Sequence, residues 1–80
     1  MEINVILYGI ARDIIGASSY KIALEKYCSV GELLDKLKND FPKLIELKSL
    51  LIAVNDEYAP MDYILKANDE VVIIPPVSGG

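Results

Sequence analysis

The chain has 80 residues, enough for one domain, and 52% of them are hydrophobic, enough for a core. One cysteine and no histidine exclude an internal disulfide, a Cys/His zinc site, and a Ser–His or Cys–His nucleophile pair. Twelve acidic against eight basic residues give a net charge of −4, and the scattered single lysines form no basic stripe for a nucleic acid backbone.

In chain order, Ile3-Asn4-Val5-Ile6-Leu7-Tyr8 is rich in β-branched and large apolar residues and predicts a first strand, with Val5 and Leu7 on one face. Gly9 breaks it. Ala11 to Ile15 suits one helical turn, closed by Gly16 as a left-handed cap. Ser19 to Leu24 alternates, placing Tyr20, Ile22 and Leu24 on one face of a second strand antiparallel to the first. Ser29-Val30-Gly31-Glu32 fits a capping box, with Cys28 and Leu33 at the positions of a hydrophobic staple. Val30, Leu33, Leu34, Leu37 and Phe41 then follow helical spacing, with Glu32, Asp35, Lys36 and Asn39 facing water, and Pro42 stops the helix. Lys43 to Lys48 fits either a short helix or a loop.

Leu50 to Val54 is an apolar run of strand length, turned by Asn55-Asp56-Glu57. Tyr58 to Leu65, interrupted by Pro60, has room for a very short strand only. Ala67-Asn68-Asp69 predicts a turn with Asn68 at positive φ. Glu70 to Ile74 is the last strand, and its continuous apolar run suits the centre of a sheet, beside and parallel to the first strand. The expected fold class is α+β: a mixed sheet of four to five strands packed on one main helix, in a single domain over residues 1–80 with a flexible tail over 75–80. The N-terminus lacks a basic, apolar leader. The longest uncharged stretch, Val71 to Gly80, has ten residues and two prolines, too short to span a bilayer. The expectation is a soluble protein that binds no membrane. Unpaired cysteine usage points to the cytoplasm.

The tail, Pro75-Pro76-Val77-Ser78-Gly79-Gly80, carries no charged side chain. Two prolines favour an extended exit from the sheet, and Gly79 and Gly80 make the slimmest possible chain end, able to enter a narrow channel. Two terminal glycines alone would arise by chance in about one chain in 200. The uncharged, proline-started unit behind a central strand is what makes them informative. Threading it into a partner desolvates one charge, the terminal carboxylate, and adenylation would mask that charge and make it electrophilic. No glycine-rich loop followed by lysine offers a phosphate cradle, so the chain itself is not expected to hold ATP.

Ala11-Arg12 with Gly16, Ala53-Val54-Asn55, Asp62 and Leu65 ahead of Asp69-Glu70-Val71, and above all Pro75-Pro76-Val77-Ser78-Gly79-Gly80 carry a resemblance. Over essentially its whole length the chain resembles the small subunits of molybdopterin synthase, ubiquitin-like sulfur carriers of the β-grasp fold. The family usually has Gly where Asn68 stands, and Asn also tolerates a left-handed turn. The resemblance implies that Gly80 is the modified residue, first an adenylate and then a thiocarboxylate. It implies a non-catalytic carrier, with no cofactor bound and ATP used by the activating partner. The implied partners are an adenylating enzyme resembling ubiquitin-activating enzymes, a sulfur donor protein, and the large catalytic subunit of molybdopterin synthase, where sulfur passes to a cyclic pyranopterin precursor. It further implies a partner interface near the tail, at Tyr8, Tyr58 and Ile74. Tyr8 and Ile74 read equally well as ordinary sheet residues.

Other residues keep alternatives open. Cys28 is a reactive thiol beside a helix N-terminus or, on the preferred reading, an apolar staple residue. Arg12 could pair with a partner or with Asp13 or Glu70. Asp56 and Glu57 read as solvated turn residues. Two further functions share the same activated glycine: sulfur delivery to another pathway such as thiamine thiazole synthesis, and ubiquitin-like attachment to lysines. The former family typically lacks the Ala-Arg segment and the Pro-Pro-Val-Ser-Gly-Gly ending.

Overall fold

The computed structural model describes residues 1–24, 27–47 and 50–75. The predicted Pro76, Val77, Ser78, Gly79 and Gly80 tail therefore lies outside the described residues. So does its expected flexibility.

The first strand, β1 (Glu2–Leu7), alternates so that Ile3, Val5 and Leu7 are buried. Tyr8 stays extended (φ −124°, ψ 159°) but serves as N-cap of α1 (Gly9–Ile15), so the strand is one residue shorter at this end than the apolar run suggests. Gly9 does more than break the strand: it opens the helix, two residues before the predicted turn. Gly16 closes it in the left-handed region at φ 84°, its N–H donating to the Arg12 carbonyl at 2.8 Å. β2 (Ser19–Ala23) returns antiparallel to β1, with Ile22 opposite Ile3.

The main helix, α2 (Val30–Asp40), starts where the sequence places it. The Ser29 hydroxyl accepts from the Glu32 N–H (3.1 Å), and the Glu32 carboxylate accepts from the Ser29 N–H (3.0 Å). The next free donors are also met. The Val30 N–H donates to the Tyr63 carbonyl (2.9 Å) and the Gly31 N–H to the Met61 carbonyl (2.8 Å). The loop before the last strand thus caps the helix, and no free N–H is left on this first turn to hold an anion. Phe41 lies past the helix as its C-cap, its ring edge-on to Tyr20 with centroids 5.7 Å apart. The ambiguous segment after it is a 3₁₀ helix, Pro42–Glu46, which buries Leu44.

β3 (Leu51–Val54) and the two-residue β4 (Glu57–Tyr58) form a hairpin. Asn55 (φ 50°) and Asp56 (φ 72°) both take positive φ. That is the turn geometry that follows the natural twist of paired strands. Asn68 takes positive φ (71°) as predicted. β5 (Glu70–Ile74) completes a five-stranded sheet in the order β2-β1-β5-β3-β4. It is central and parallel to β1, as expected. One sheet face packs on α2, and Leu33, Leu37, Leu44 and Leu65 join Ile3, Val5, Leu7, Val71 and Ile73 in the core. Among the described residues, no helix is long and apolar enough to cross a membrane.

One buried polar group stands out. Asp69 accepts from the Asn55 side-chain amide and from the Lys66 N–H, both at 2.8 Å, while the Asn55 side-chain carbonyl accepts from the Glu70 N–H at 3.0 Å. This knot ties the β3–β4 turn to the start of β5.

Candidate functional site: the open sheet face and the strand exit

Strand register decides which side chains share the uncovered sheet face, because residues directly opposite one another project to the same side. Ile6 is opposite Val72, Val72 opposite Ala53, Ala53 opposite Tyr58, and Leu51 opposite Ile74. These six apolar residues form one patch on the face away from α2. Leu51 is 52% and Tyr58 74% exposed, while Ile6, Val72 and Ile74 are half-buried. Tyr8, 56% exposed, continues the alternation of β1 beyond Leu7.

The other half of this face differs in chemistry. Asn4 pairs with Lys21 and Glu70, and Glu2 with Ala23, so the end where β1 and β5 begin is mostly polar. The apolar half lies where those two strands finish. There Leu7 pairs with Ile73, and β5 runs out through Ile74 to Pro75. The patch therefore borders the point from which the tail departs.

The structure thus places Tyr58 and Ile74 on one surface, joined by Leu51 and Ala53, with Tyr8 at its edge. Sequence reasoning missed Ile6, Leu51, Ala53 and Val72 as members of this surface. A signal was present: placing Val5 and Leu7 inward leaves Ile6 outward, and the unbroken Val71 to Ile74 run gives apolar residues to both faces. Among the described residues α2 covers only one of those faces, which leaves the other an apolar surface suited to meeting a partner.

Among the described residues no three His, Cys, Asp or Glu side chains gather to hold a metal ion. Cys28 is half-buried against the core, with its thiol directed at the Ser29 carbonyl (3.4 Å). Desolvation by burial pushes its pKa above the ordinary 9.0, the Glu32 carboxylate adds to this, and Lys36 opposes it. Burial thus favours the neutral thiol, in keeping with the staple-like packing role.

Comparison with known proteins places the family and the fold. The ThiS family matches residues 5–80. The chain belongs to the ThiS family. Among its relatives, the molybdopterin synthase sulfur carrier subunit of Dictyostelium discoideum is 39% identical, across 99% of this chain and 96% of its own length. That of Arabidopsis thaliana is 36% identical, across 100% and 84%. Among solved structures, a putative molybdopterin converting factor subunit 1 from Pyrococcus furiosus superposes with TM-score 0.88 at 27% identity, covering 96% of this chain and 99% of that one. The small archaeal modifier protein 1 of Methanosarcina acetivorans gives 0.81 at 26%, covering 99% and 96%. A chain in the complex of subunits 1 and 2 of molybdopterin-converting factor from Helicobacter pylori gives 0.69 at 26%, covering all of both chains. The ubiquitin-like β-grasp fold expected from sequence is the fold of this ThiS-family domain.

Proposed function

We propose that this chain is the sulfur carrier subunit of molybdopterin synthase and acts in the cytoplasm. The observation that carries the reading is full-length similarity to sulfur carrier subunits, in a chain whose apolar sheet face runs up to the root of a Gly-Gly tail. In the first step a Gly80 carboxylate oxygen attacks the α-phosphorus of ATP on an adenylating enzyme, and pyrophosphate leaves. In the second, sulfur at the level of hydrosulfide, supplied by a donor protein, attacks the acyl carbon and AMP leaves as Gly80 becomes a thiocarboxylate. The catalytic side chains belong to the partners, and this chain is a delivered co-substrate. Leu51, Tyr58, Val72 and Ile74 seat it on the large subunit, Tyr8 bordering the contact, while Pro75, Pro76, Val77, Ser78 and Gly79 carry Gly80 into the partner's site. There the sulfur passes to a cyclic pyranopterin precursor and water restores the carboxylate.

The test is intact-mass analysis of the protein from its native host. One sulfur replacing one oxygen at Gly80 is the expected result, and carboxylate alone in the presence of the activating enzyme and sulfur donor refutes it. Likeness to a small archaeal modifier protein favours a second reading, attachment of Gly80 to lysines of other proteins. Affinity capture separates the two: the synthase large subunit supports the first, isopeptide-linked conjugates the second.

A further inference from the structure

β1 and β5 leave the sheet side by side. Leu7 is level with Ile73, so Gly9, two residues on, is level with Pro75. The two chains must part here, because β1 has to fold into α1 while β5 continues outward. Gly9 makes the parting possible. It sits at φ +56°, a conformation that side-chain-bearing residues rarely adopt, and an added Cβ would lie 3.2 Å from Cγ of Pro75. That is tighter than an ordinary carbon–carbon contact, and the atom it meets belongs to a ring closed on its own backbone, which can yield only by a change of pucker or a shift of the chain. Pro75 is half-buried on this seat.

We propose that Gly9 is a positioning residue for the transfer reaction: its bare Cα seats the Pro75 ring and so fixes the bearing with which the tail leaves the sheet. This rests on the reading of Gly80 as the activated residue. Gly9 touches neither substrate nor reacting atoms. It acts through Pro75, from which the chain continues to Gly80.

The variant that isolates this effect is Gly9→Asn. Asparagine tolerates positive φ, so the fold survives, but its Cβ still presses on Pro75. Pyrophosphate release from ATP is measured with the purified cognate adenylating enzyme. For Gly9→Asn, kcat falls about tenfold or more, as misplacement of a reacting group demands. KM for the carrier stays within about twofold, because the patch at Leu51, Val72 and Tyr58 is untouched. A merely structural defect would instead lower the melting temperature and leave the rate of the folded fraction intact. Pro75→Ala removes the atom that clashes, so Gly9→Asn/Pro75→Ala should be no slower than Pro75→Ala alone. Wild-type rates in Gly9→Asn, or effects of the two substitutions that simply multiply, overturn the inference. If the wild-type chain releases no pyrophosphate, the proposed function fails separately. Nuclear Overhauser contacts between Gly9 Hα and the Pro75 ring then decide the seat: present in wild type and lost in Gly9→Asn supports it, absent in wild type overturns it.

Discussion

Asp69 is the best place to test whether stability and chemistry are separable in this domain. It is a buried carboxylate that accepts two hydrogen bonds at 2.8 Å, one from the Asn55 amide and one from the Lys66 N–H. Asp69→Ala deletes both acceptors and frees Asn55, which otherwise accepts from the Glu70 N–H at 3.0 Å. Hydrogen bonds to a charged group contribute about 1.5–3 kcal/mol each. Asn55 and Lys66 are themselves exposed residues, so water recovers part of that loss, and the cost should be about 2–3 kcal/mol in total. For a domain of this size that corresponds to a fall of roughly 10–20 °C in Tm. Asp69→Asn keeps one acceptor and turns a donor toward a donor, so it should cost about half as much or slightly more. Urea unfolding at constant m-value measures both. Asp69 lies at the start of β5, at the opposite end from Pro75, so the adenylation rate of the folded variant should equal that of wild type. A loss below about 1 kcal/mol would show the knot to be ornamental. A tenfold drop in rate at a temperature where the variant is fully folded would refute the separation of the two ends.

Four further outcomes follow from the same structure. Ser29→Ala removes the hydroxyl that accepts from the Glu32 N–H and should cost about 1 kcal/mol by thermal or urea unfolding. Tyr58→Ala removes the most exposed residue of the patch, so it should leave Tm within a few degrees and weaken large-subunit binding about fivefold or more by calorimetry. Gly79→Val should leave the unfolding curve unchanged and abolish sulfur transfer in a reconstituted assay, because the added side chain cannot enter a narrow channel. Cys28 should alkylate with an apparent pKa above 9.0. Since the folded state raises this pKa, its stabilising contribution is complete below the unfolded value and fades as pH rises through the folded one. Cys28→Ser should therefore flatten any loss of stability on the alkaline side of 9.0.

Much of the fold is legible because local and tertiary demands agree. The Ser29–Glu32 box, the Gly16 cap, the Asn68 turn and the inward alternation of β1 each rest on a few neighbouring residues, and each forms as expected. What was not legible depends on distant partners. No local pattern shows that the Met61 and Tyr63 carbonyls cap α2, or that Asn55 and Asp69, fourteen residues apart, close a hydrogen-bonded knot. Phe41 keeps helical spacing yet falls outside α2, since Pro42 bars an α conformation for the residue before it. The docking patch was half legible. Tyr58 and Ile74 came from resemblance, whereas Leu51 and Ile6 join them only once the register of three strands is fixed.

That register also gives one strand two uses. A strand buried on both faces would spend its apolar residues on the fold alone. β5 instead gives Val71 and Ile73 to the core, and Val72 and Ile74 to the open face, on one continuous backbone. The same strand therefore anchors the domain and forms part of the open apolar face that ends at Pro75. Substitution of Ile74 thus touches the open face as well as the fold, whereas substitutions around Asp69 or Ser29 touch only the fold. On the proposed function, the carrier is recognised by several partners in turn and offers each the same carboxylate. On that reading, an apolar face that ends at Pro75 would let each partner bind the sheet without reading any side chain in the tail.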